Sequence, residues 1–209
     1  MTAPLVEEVA VSLTLNGAAV RQWRCTPYDL EALAIGRLFI DGLIGRADAV
    51  HLIIERTGDA ALIQARMVEG VALVRTSPSR SLPVPTTEIF GELFRALFLG
   101  VDARHEQGGM HAAAATDGLR IIKQVEDVGR HNTVDKLVGA LLLEHLQPAD
   151  FGLLTSSRVS GEIADKAARA GFAWLASRSI PTTMAVSLAL AAHMPIIGRA
   201  PSRDAYVYS

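Results

Sequence analysis

Val125-Glu126-Asp127-Val128-Gly129-Arg130-His131-Asn132-Thr133-Val134-Asp135-Lys136 is almost wholly polar, charged or glycine. A strand-like run, Leu119-Arg120-Ile121-Ile122, precedes it, and an apolar helical run, Leu137 to Leu143, follows. The segment therefore reads as a strand-to-helix turn of an α/β sheet. Asp127, Arg130, His131 and Asn132 gather a carboxylate, a guanidinium, an imidazole and an amide. Gly129 permits a tight turn or a close backbone approach. Asn132 is a candidate cap for the helix whose first turn holds Asp135. A helix N-terminus beside Arg and His is suited to an anion. The same groups could equally satisfy one another.

Outward from this turn, the C-terminal half alternates strand and helix. Strands are expected at Leu119–Val125, Phe151–Thr155, Ala173–Ser177, Pro195–Arg199 and Ala205–Tyr208. Helices are expected at Thr133–His145, Ser160–Ala170 (closed by Gly171) and Pro181–His193. This alternation predicts a layered α/β sheet. Towards the N-terminus, Val9, Val11, Leu13 and Leu15 alternate as a half-buried strand, Asn16-Gly17 marks a hairpin, and Ala19 to Cys25 returns. Thr26 and Pro27 suggest the cap and first position of a helix ending near Gly42. Strand-like runs follow at His51–Glu55, Ala61–Arg66 and Val71–Arg75. Glu88 to Leu99 is helical, and the small-residue run Ala112 to Ala115 is left without an element. The expected organisation is a strand-rich lobe with one helix over 1–75, a Pro/Ser-rich loop or lid over 76–87, and an α/β core over 88–209.

A chain of 209 residues is long enough for a substantial core. Half of it is hydrophobic, yet no uninterrupted apolar run reaches the roughly 18 residues of a membrane span. The start lacks the basic and apolar regions of a secretory signal, so a cytoplasmic location is expected. A net charge of −2, spread along the chain, argues against general nucleic-acid or anionic-membrane binding. The single cysteine, Cys25, excludes an internal disulfide and a multi-cysteine metal site. At the end of a strand it reads as a buried structural thiol.

In open α/β sheets, ligands bind where strands lead into helices. The loops that could have this placement are Gly108 to His111, Asp127 to Asn132, Thr155 to Ser160, Ser177 to Thr183 and Gly198 to Asp204. Together they carry Arg130, Arg158, Arg178, Arg199 and Arg203 among many hydroxyls. Converged, they would suit phosphate, whose oxygens arginine binds in bidentate fashion. Ser160 and Thr182 sit at helix starts and could be caps alone. His111 and His131 suit either a ligand-facing or a buried, hydrogen-bonded role. Zinc spacings, a P-loop, a dinucleotide fingerprint and a serine elbow are all absent from the sequence.

Six segments in register resemble the formate dehydrogenase accessory protein family, the FdhD-type sulfurtransferases. They are Cys25 to Gly36, Gly109 to Ala113, Glu126 to Lys136, Ser157 to Ser160, Lys166 to Gly171 and Ser179 to Thr182. The resemblance implies a cytidine-deaminase-like three-layer α/β/α core with a smaller N-terminal strand-rich lobe, without deaminase zinc chemistry. It implies maturation of formate dehydrogenase or a related molybdenum or tungsten enzyme, with sulfur drawn from a cysteine desulfurase. It also implies a homodimer that binds the molybdenum bis-molybdopterin guanine dinucleotide cofactor, with GDP as a mimic. The cofactor-binding residues expected on this basis are His111, Arg130, His131, Asn132, Ser157, Arg158, Thr182, Arg199, Ala200, Pro201, Ser202 and Arg203.

Two departures stand out. The family carries sulfur on a Cys-Gly-x-Cys loop, whereas the corresponding Arg75 to Ser81 holds no cysteine. A hydroxyl cannot carry a persulfide. The C-terminal loop, Gly198 to Tyr208, keeps its ends and changes its middle. The expectation is thus a cofactor-binding accessory protein that has lost the usual relay. The alternatives are a sulfurtransferase using Cys25, or a non-catalytic scaffold that pairs with a Cys-containing paralogue.

Overall fold

The computed structural model describes residues 5–71, 82–102 and 108–209. Strands β1 (Val9–Leu15) and β2 (Ala18–Cys25) form an antiparallel hairpin, with Asn16 and Gly17 at φ 50° and 83° in its turn. Helix α1 (Leu30–Ile40) follows, then a second hairpin of β3 (Val50–Thr57) and β4 (Ala60–Met67). The four strands make a small sheet in the order β2-β1-β4-β3, with β1 and β4 parallel.

After α2 (Thr87–Asp102), the remaining strands build a larger mixed sheet. They are β5 (His111–Thr116), β6 (Ile121–Asp127), β7 (Gly152–Thr155), β8 (Leu175–Ser177), β9 (Ile196–Gly198) and β10 (Tyr206–Tyr208). Their order is β10-β9-β8-β7-β5-β6. Helices α3 (Arg130–Leu143), α4 (Gly161–Ala170) and α5 (Thr183–Ala191) connect them. The architecture is therefore two-lobed α/β, with a small N-terminal sheet and a larger mixed sheet flanked by helices.

Side-chain alternation on the large sheet decides what each face covers. Ala113, Ala115, Leu153, Leu175 and Ile196 enter a core shared with α1, α3, α4 and the small sheet. Ala112, Ala114, Leu154, Ala176 and Ile197 face the opposite way, onto Phe90, Leu93, Phe94 and Leu97 of α2. Trp174 anchors this second core: its ring meets Phe90 edge-on at 5.5 Å, and its Nε1 donates to the Pro83 carbonyl at 3.2 Å. Helices α1 and α3 cross at two glycines. A Cβ on Gly36 would lie 1.8 Å from the Asp135 carbonyl oxygen, and one on Gly139 would lie 1.9 Å from that of Ala32.

Several local expectations need correction. Thr26 does not cap α1; Asp29 does, in the left-handed region at φ 54° and without a side-chain capping bond. The Thr26 hydroxyl is committed to Asp127 and Lys136 instead. Asn132 is no cap either, because α3 starts at Arg130 with Gly129 as its N-cap. Arg130, His131 and Asn132 thus belong to the first helical turn rather than to a loop. Leu119 lies in a turn and is exposed, and β6 runs on to Asp127. The alanine run forms β5, between β7 and the edge strand β6. The expected strand at Val71–Arg75 falls beyond Val71 outside the described residues, as does the first half of the 76–87 loop.

Candidate functional site

Strand directions bring the polar segments to one end of the large sheet. β7, β8 and β9 are parallel, so their carboxyl ends coincide. β5 runs antiparallel to β7, which puts its first residue, His111, at that end. β6 is antiparallel to β5, and its last residue, Asp127, pairs with His111. Hydrogen bonds tie the resulting rim together. Ala112 N donates to Ser156 Oγ at 2.8 Å, and Ser177 Oγ donates to the Ser157 carbonyl at 2.7 Å. Thr182 N donates to the Val159 carbonyl at 3.0 Å, and Ala200 N to that of Ser177 at 2.9 Å. Arg199 N reaches the Ser179 carbonyl at 3.1 Å. The rim thus places His111, Arg130, His131, Ser157, Arg158, Thr182 and the Arg199 to Arg203 segment along one edge.

Beneath it lies a buried ionic scaffold. Asp127 is fully enclosed and accepts from Lys136 Nζ at 2.7 Å, Thr26 Oγ1 at 3.0 Å, Thr26 N at 3.1 Å, Gly129 N at 2.7 Å and Asn132 Nδ2 at 2.9 Å. Five donors on one carboxylate offset its desolvation. Asn132 Nδ2 also donates to the Arg24 carbonyl at 2.8 Å, so the helix start is fastened to the end of β2. A Cβ on Gly129 would come within 2.5 Å of that amide, so a larger residue there would push Asn132 off its hydrogen bonds. A second buried pair joins Lys166 to Asp135 at 2.7 Å, and Lys166 Nζ also donates to the His131 carbonyl at 3.1 Å. Lys136 and Lys166 were not singled out in the sequence. The signal for Lys136 was its position against the apolar run of α3, where only a paired lysine can be buried.

Solvent-facing groups are mostly cationic. Arg130, Arg158 and Arg203 have no side-chain partner among the described residues, and Arg199 stands 3.9 Å from Asp204. Arg178 lies over the Phe98 ring at 4.7 Å and, with Phe94, Arg95 and Pro201, lines an open pocket of about 340 Å³. Burial, then the neighbouring Arg130 charge, holds His111 below the usual imidazole value. His131 is also lowered, chiefly by burial, while Glu162 opposes the shift. His131 Nε2 is 3.3 Å from Ser160 Oγ, and its Nδ1 is 3.6 Å from Glu162 Oε2.

Other expected residues serve the rim from within. Asn132 and Ser157 are buried, and the Ser157 hydroxyl shares a hydrogen bond with Thr155 Oγ1 at 3.0 Å. Ala200 is buried, Pro201 and Ser202 are half-buried. Thr182 caps α5 by accepting from Ala185 N at 3.2 Å, whereas Ser160 makes no capping bond to α4. Among the described residues, no cluster of three or more His, Cys, Asp or Glu side chains could hold a metal.

Cys25 closes β2 with no exposed surface, and burial, then the Asp127 charge, pushes its thiol up to about 12. The chain has no other cysteine. The Arg75 to Ser81 stretch, where the family's paired cysteines are expected, lies outside the described residues.

Comparison with known proteins gives concordant results. The model of the FdhD/NarQ family matches residues 71–209. The sulfur carrier protein FdhD of Burkholderia cenocepacia is 34% identical over 91% of this chain and 82% of its own length. That of Bordetella petrii is 32% identical over 98% of this chain and 84% of its own. A crystal structure provisionally described as a formate dehydrogenase accessory protein, from Desulfotalea psychrophila, superposes with a TM-score of 0.79, covering 97% of this chain and 86% of that one. At 21% identity, that likeness speaks for the fold alone. With the family match spanning well over half of its length, the chain belongs to the FdhD/NarQ family, as a member without the Cys-Gly-x-Cys loop.

Proposed function

We propose that this protein is an accessory factor for the maturation of formate dehydrogenase or a related molybdenum or tungsten oxidoreductase. Its cargo is the bis-molybdopterin guanine dinucleotide cofactor, and the usual cysteine-persulfide relay is lost. The observation that carries this reading is the rim itself. Arg130 at the start of α3, Arg158 between β7 and α4, and Arg199 and Arg203 between β9 and β10 gather at one end of the large sheet, and three of the four have no side-chain partner among the described residues. Arginine offers donors only, in a fork that matches phosphate oxygens, so the donor set fits a nucleotide diphosphate. His111 and His131 would add neutral donors at neutral pH. Thr182 and the Arg199 to Arg203 backbone would line the remainder, and Asn132 and Ser157 would hold the turns in place. A cytidine-deaminase-like relationship of the large sheet and a homodimeric state complete the same reading.

Cys25 weighs against sulfur transfer by this chain alone. A persulfide forms on an accessible thiolate, and this thiol is enclosed and held protonated. Sulfur from a cysteine desulfurase would need another carrier, such as a Cys-containing paralogue docked on this scaffold. A pull-down that recovers no such partner counts against that arrangement.

Calorimetry with GDP tests the ligand claim. Wild-type protein is expected to bind saturably, with Arg130→Ala and Arg158→Ala each weaker by about tenfold, which corresponds to loss of roughly 1.4 kcal/mol. The absence of saturable binding at high protein concentration would sink it.

A further inference from the structure

The contact of His131 with α4 has the composition of a nucleophile, base and orienting acid. Ser160 occupies the N-cap of α4, where a serine ordinarily accepts from a first-turn amide. It makes no such bond here; its Oγ lies 3.3 Å from His131 Nε2 instead. Thr182, in the equivalent place on α5, does cap its helix. Across the imidazole, Nδ1 faces Glu162 Oε2 at 3.6 Å, within ion-pair reach but longer than a direct hydrogen bond. Such contacts are often long before substrate binds. The other oxygen of Glu162 is turned to Arg21 at 3.7 Å and Lys166 at 3.9 Å, which leaves Oε2 to the imidazole.

Three further observations point the same way. Lys166, locked by Asp135, grips the His131 carbonyl, so the base sits on a fixed piece of backbone. The charged groups around the ring are Arg21 from β2, Arg130 from α3, and Glu162 and Lys166 from α4. With burial, the three cations outweigh Glu162 and keep the ring neutral at pH 7, the form that accepts a proton. The first-turn amides Gly161 and Glu162 follow Ser160 directly and lack intrahelical acceptors.

We propose that Ser160, His131 and Glu162 form a base-activated serine that transfers or hydrolyses the acyl group of an anionic ester. Ser160 Oγ adds to the ester carbonyl carbon and gives its proton to His131 Nε2. The carbonyl oxygen takes the negative charge, which the α4 amides are suited to hold. Collapse breaks the bond to the leaving alcohol, which takes the proton from His131. Water, deprotonated by the same nitrogen, then releases the acid and restores the serine, so that ester and water give acid and alcohol. Arg21, Arg130 and Arg158 around this edge favour substrates with a negative group.

A fluorophosphonate tests the activated hydroxyl without any cofactor, so its outcome is separate from the GDP titration. Attack on phosphorus expels fluoride and leaves a stable phosphonyl serine. Peptide mass spectrometry of wild-type protein is expected to locate the label at Ser160, with a rate that rises as pH passes upward through the His131 titration. His131→Ala should slow labelling on the order of 100-fold, the usual worth of a general base. Glu162→Gln should slow it by about tenfold, less than the loss seen for a buried triad acid because this carboxylate is half-exposed. Ser160→Ala removes no capping bond and should fold normally and stay unlabelled. In the same wild-type protein, a p-nitrophenyl ester bearing a carboxylate should turn over faster than p-nitrophenyl acetate. Failure to label Ser160 in folded wild-type protein overturns the assignment, as does equal labelling of other serines. Equal turnover of the two esters overturns the anionic preference.

Discussion

Lys136 Nζ lies 2.7 Å from Asp127 Oδ2, and neither side chain has any solvent-exposed surface. The pair joins β6 to α3 and, through Thr26 Oγ1 at 2.7 Å from the same ammonium, to the segment leaving β2. Removing one partner strands a buried charge, a loss typically worth about 3–5 kcal/mol. Lys136→Met is therefore expected to lower unfolding free energy by about that amount in urea titrations. The double variant Asp127→Asn with Lys136→Met should recover part of the loss, because no uncompensated charge remains. A single-variant loss under about 1 kcal/mol would show that the pair contributes little.

Cys25 should be inert in the folded protein. Its thiol is raised from 9.0 to about 12 by burial, with Asp127 adding to the shift. Iodoacetamide at pH 8 is expected to leave the native protein unmodified and to alkylate it fully once denatured. Rapid native-state alkylation would revive sulfur transfer through this residue. The linkage has a definite sign. The folded state keeps the proton longer than the unfolded chain, so the stabilisation is complete below about pH 9 and declines as pH rises from 9.0 towards 12. Cys25→Ala should flatten that alkaline decline in thermal melts.

His111 offers a test of the rim's field. Arg130 depresses its titration after burial does, so Arg130→Ala should move the His111 imidazole resonance upward towards its ordinary midpoint. An unchanged midpoint would place Arg130 too far away to act. Because the folded-state value is lowered, the unfolded chain takes up the proton first. Stability from this group is thus full above the ordinary imidazole value of 6.5 and is lost as pH falls through the lowered one. Protonation of His111 and His131 adds positive charge to the same edge, so GDP binding should tighten as pH falls through that window.

The alternating strands and helices of the C-terminal half were legible because their apolar runs are bounded by Gly, Pro and hydroxyl residues. Strand β5, interior to the sheet between β7 and β6, was not. Ala112 to Ala115 carry no β-branched or aromatic side chain, and a strand covered on both faces shows no polar alternation. Alanine serves there because helices press on both sides. Thr26-Pro27 looked like a helix start, since both residues favour one. A carboxylate 101 residues away holds the threonine instead, and no local pattern reveals such a partner. The same holds at Ser160 and Thr182. Both stand at N-caps, yet only the fold shows that one bonds its helix and the other turns to His131. The arginines of the rim were visible as residues; their shared edge follows from the reversal of β5 between β6 and β7.

The crossing of α1 and α3 gives the last prediction. Gly36 and Gly139 let the two backbones touch, and the atoms a methyl group would strike are carbonyl oxygens at 1.8 Å and 1.9 Å, not side-chain tips that could swing aside. Relief would require the helices to move apart. That shift would act on Asp135, whose carbonyl oxygen meets Gly36 and whose carboxylate holds Lys166, and through Lys166 on the His131 carbonyl. Overpacking of this kind typically costs about 1–3 kcal/mol, and a backbone obstacle belongs at the upper end. Gly36→Ala is thus expected to lower the thermal midpoint by about 4 °C or more and to broaden the His131 resonance even where the protein stays folded. Gly17→Ala serves as a contrasting variant. Its added methyl meets nothing within 4 Å, so its cost is confined to the strain of φ +83° at a hairpin remote from the rim. If Gly36→Ala proves no more damaging to the His131 signal than Gly17→Ala, the crossing does not position the site.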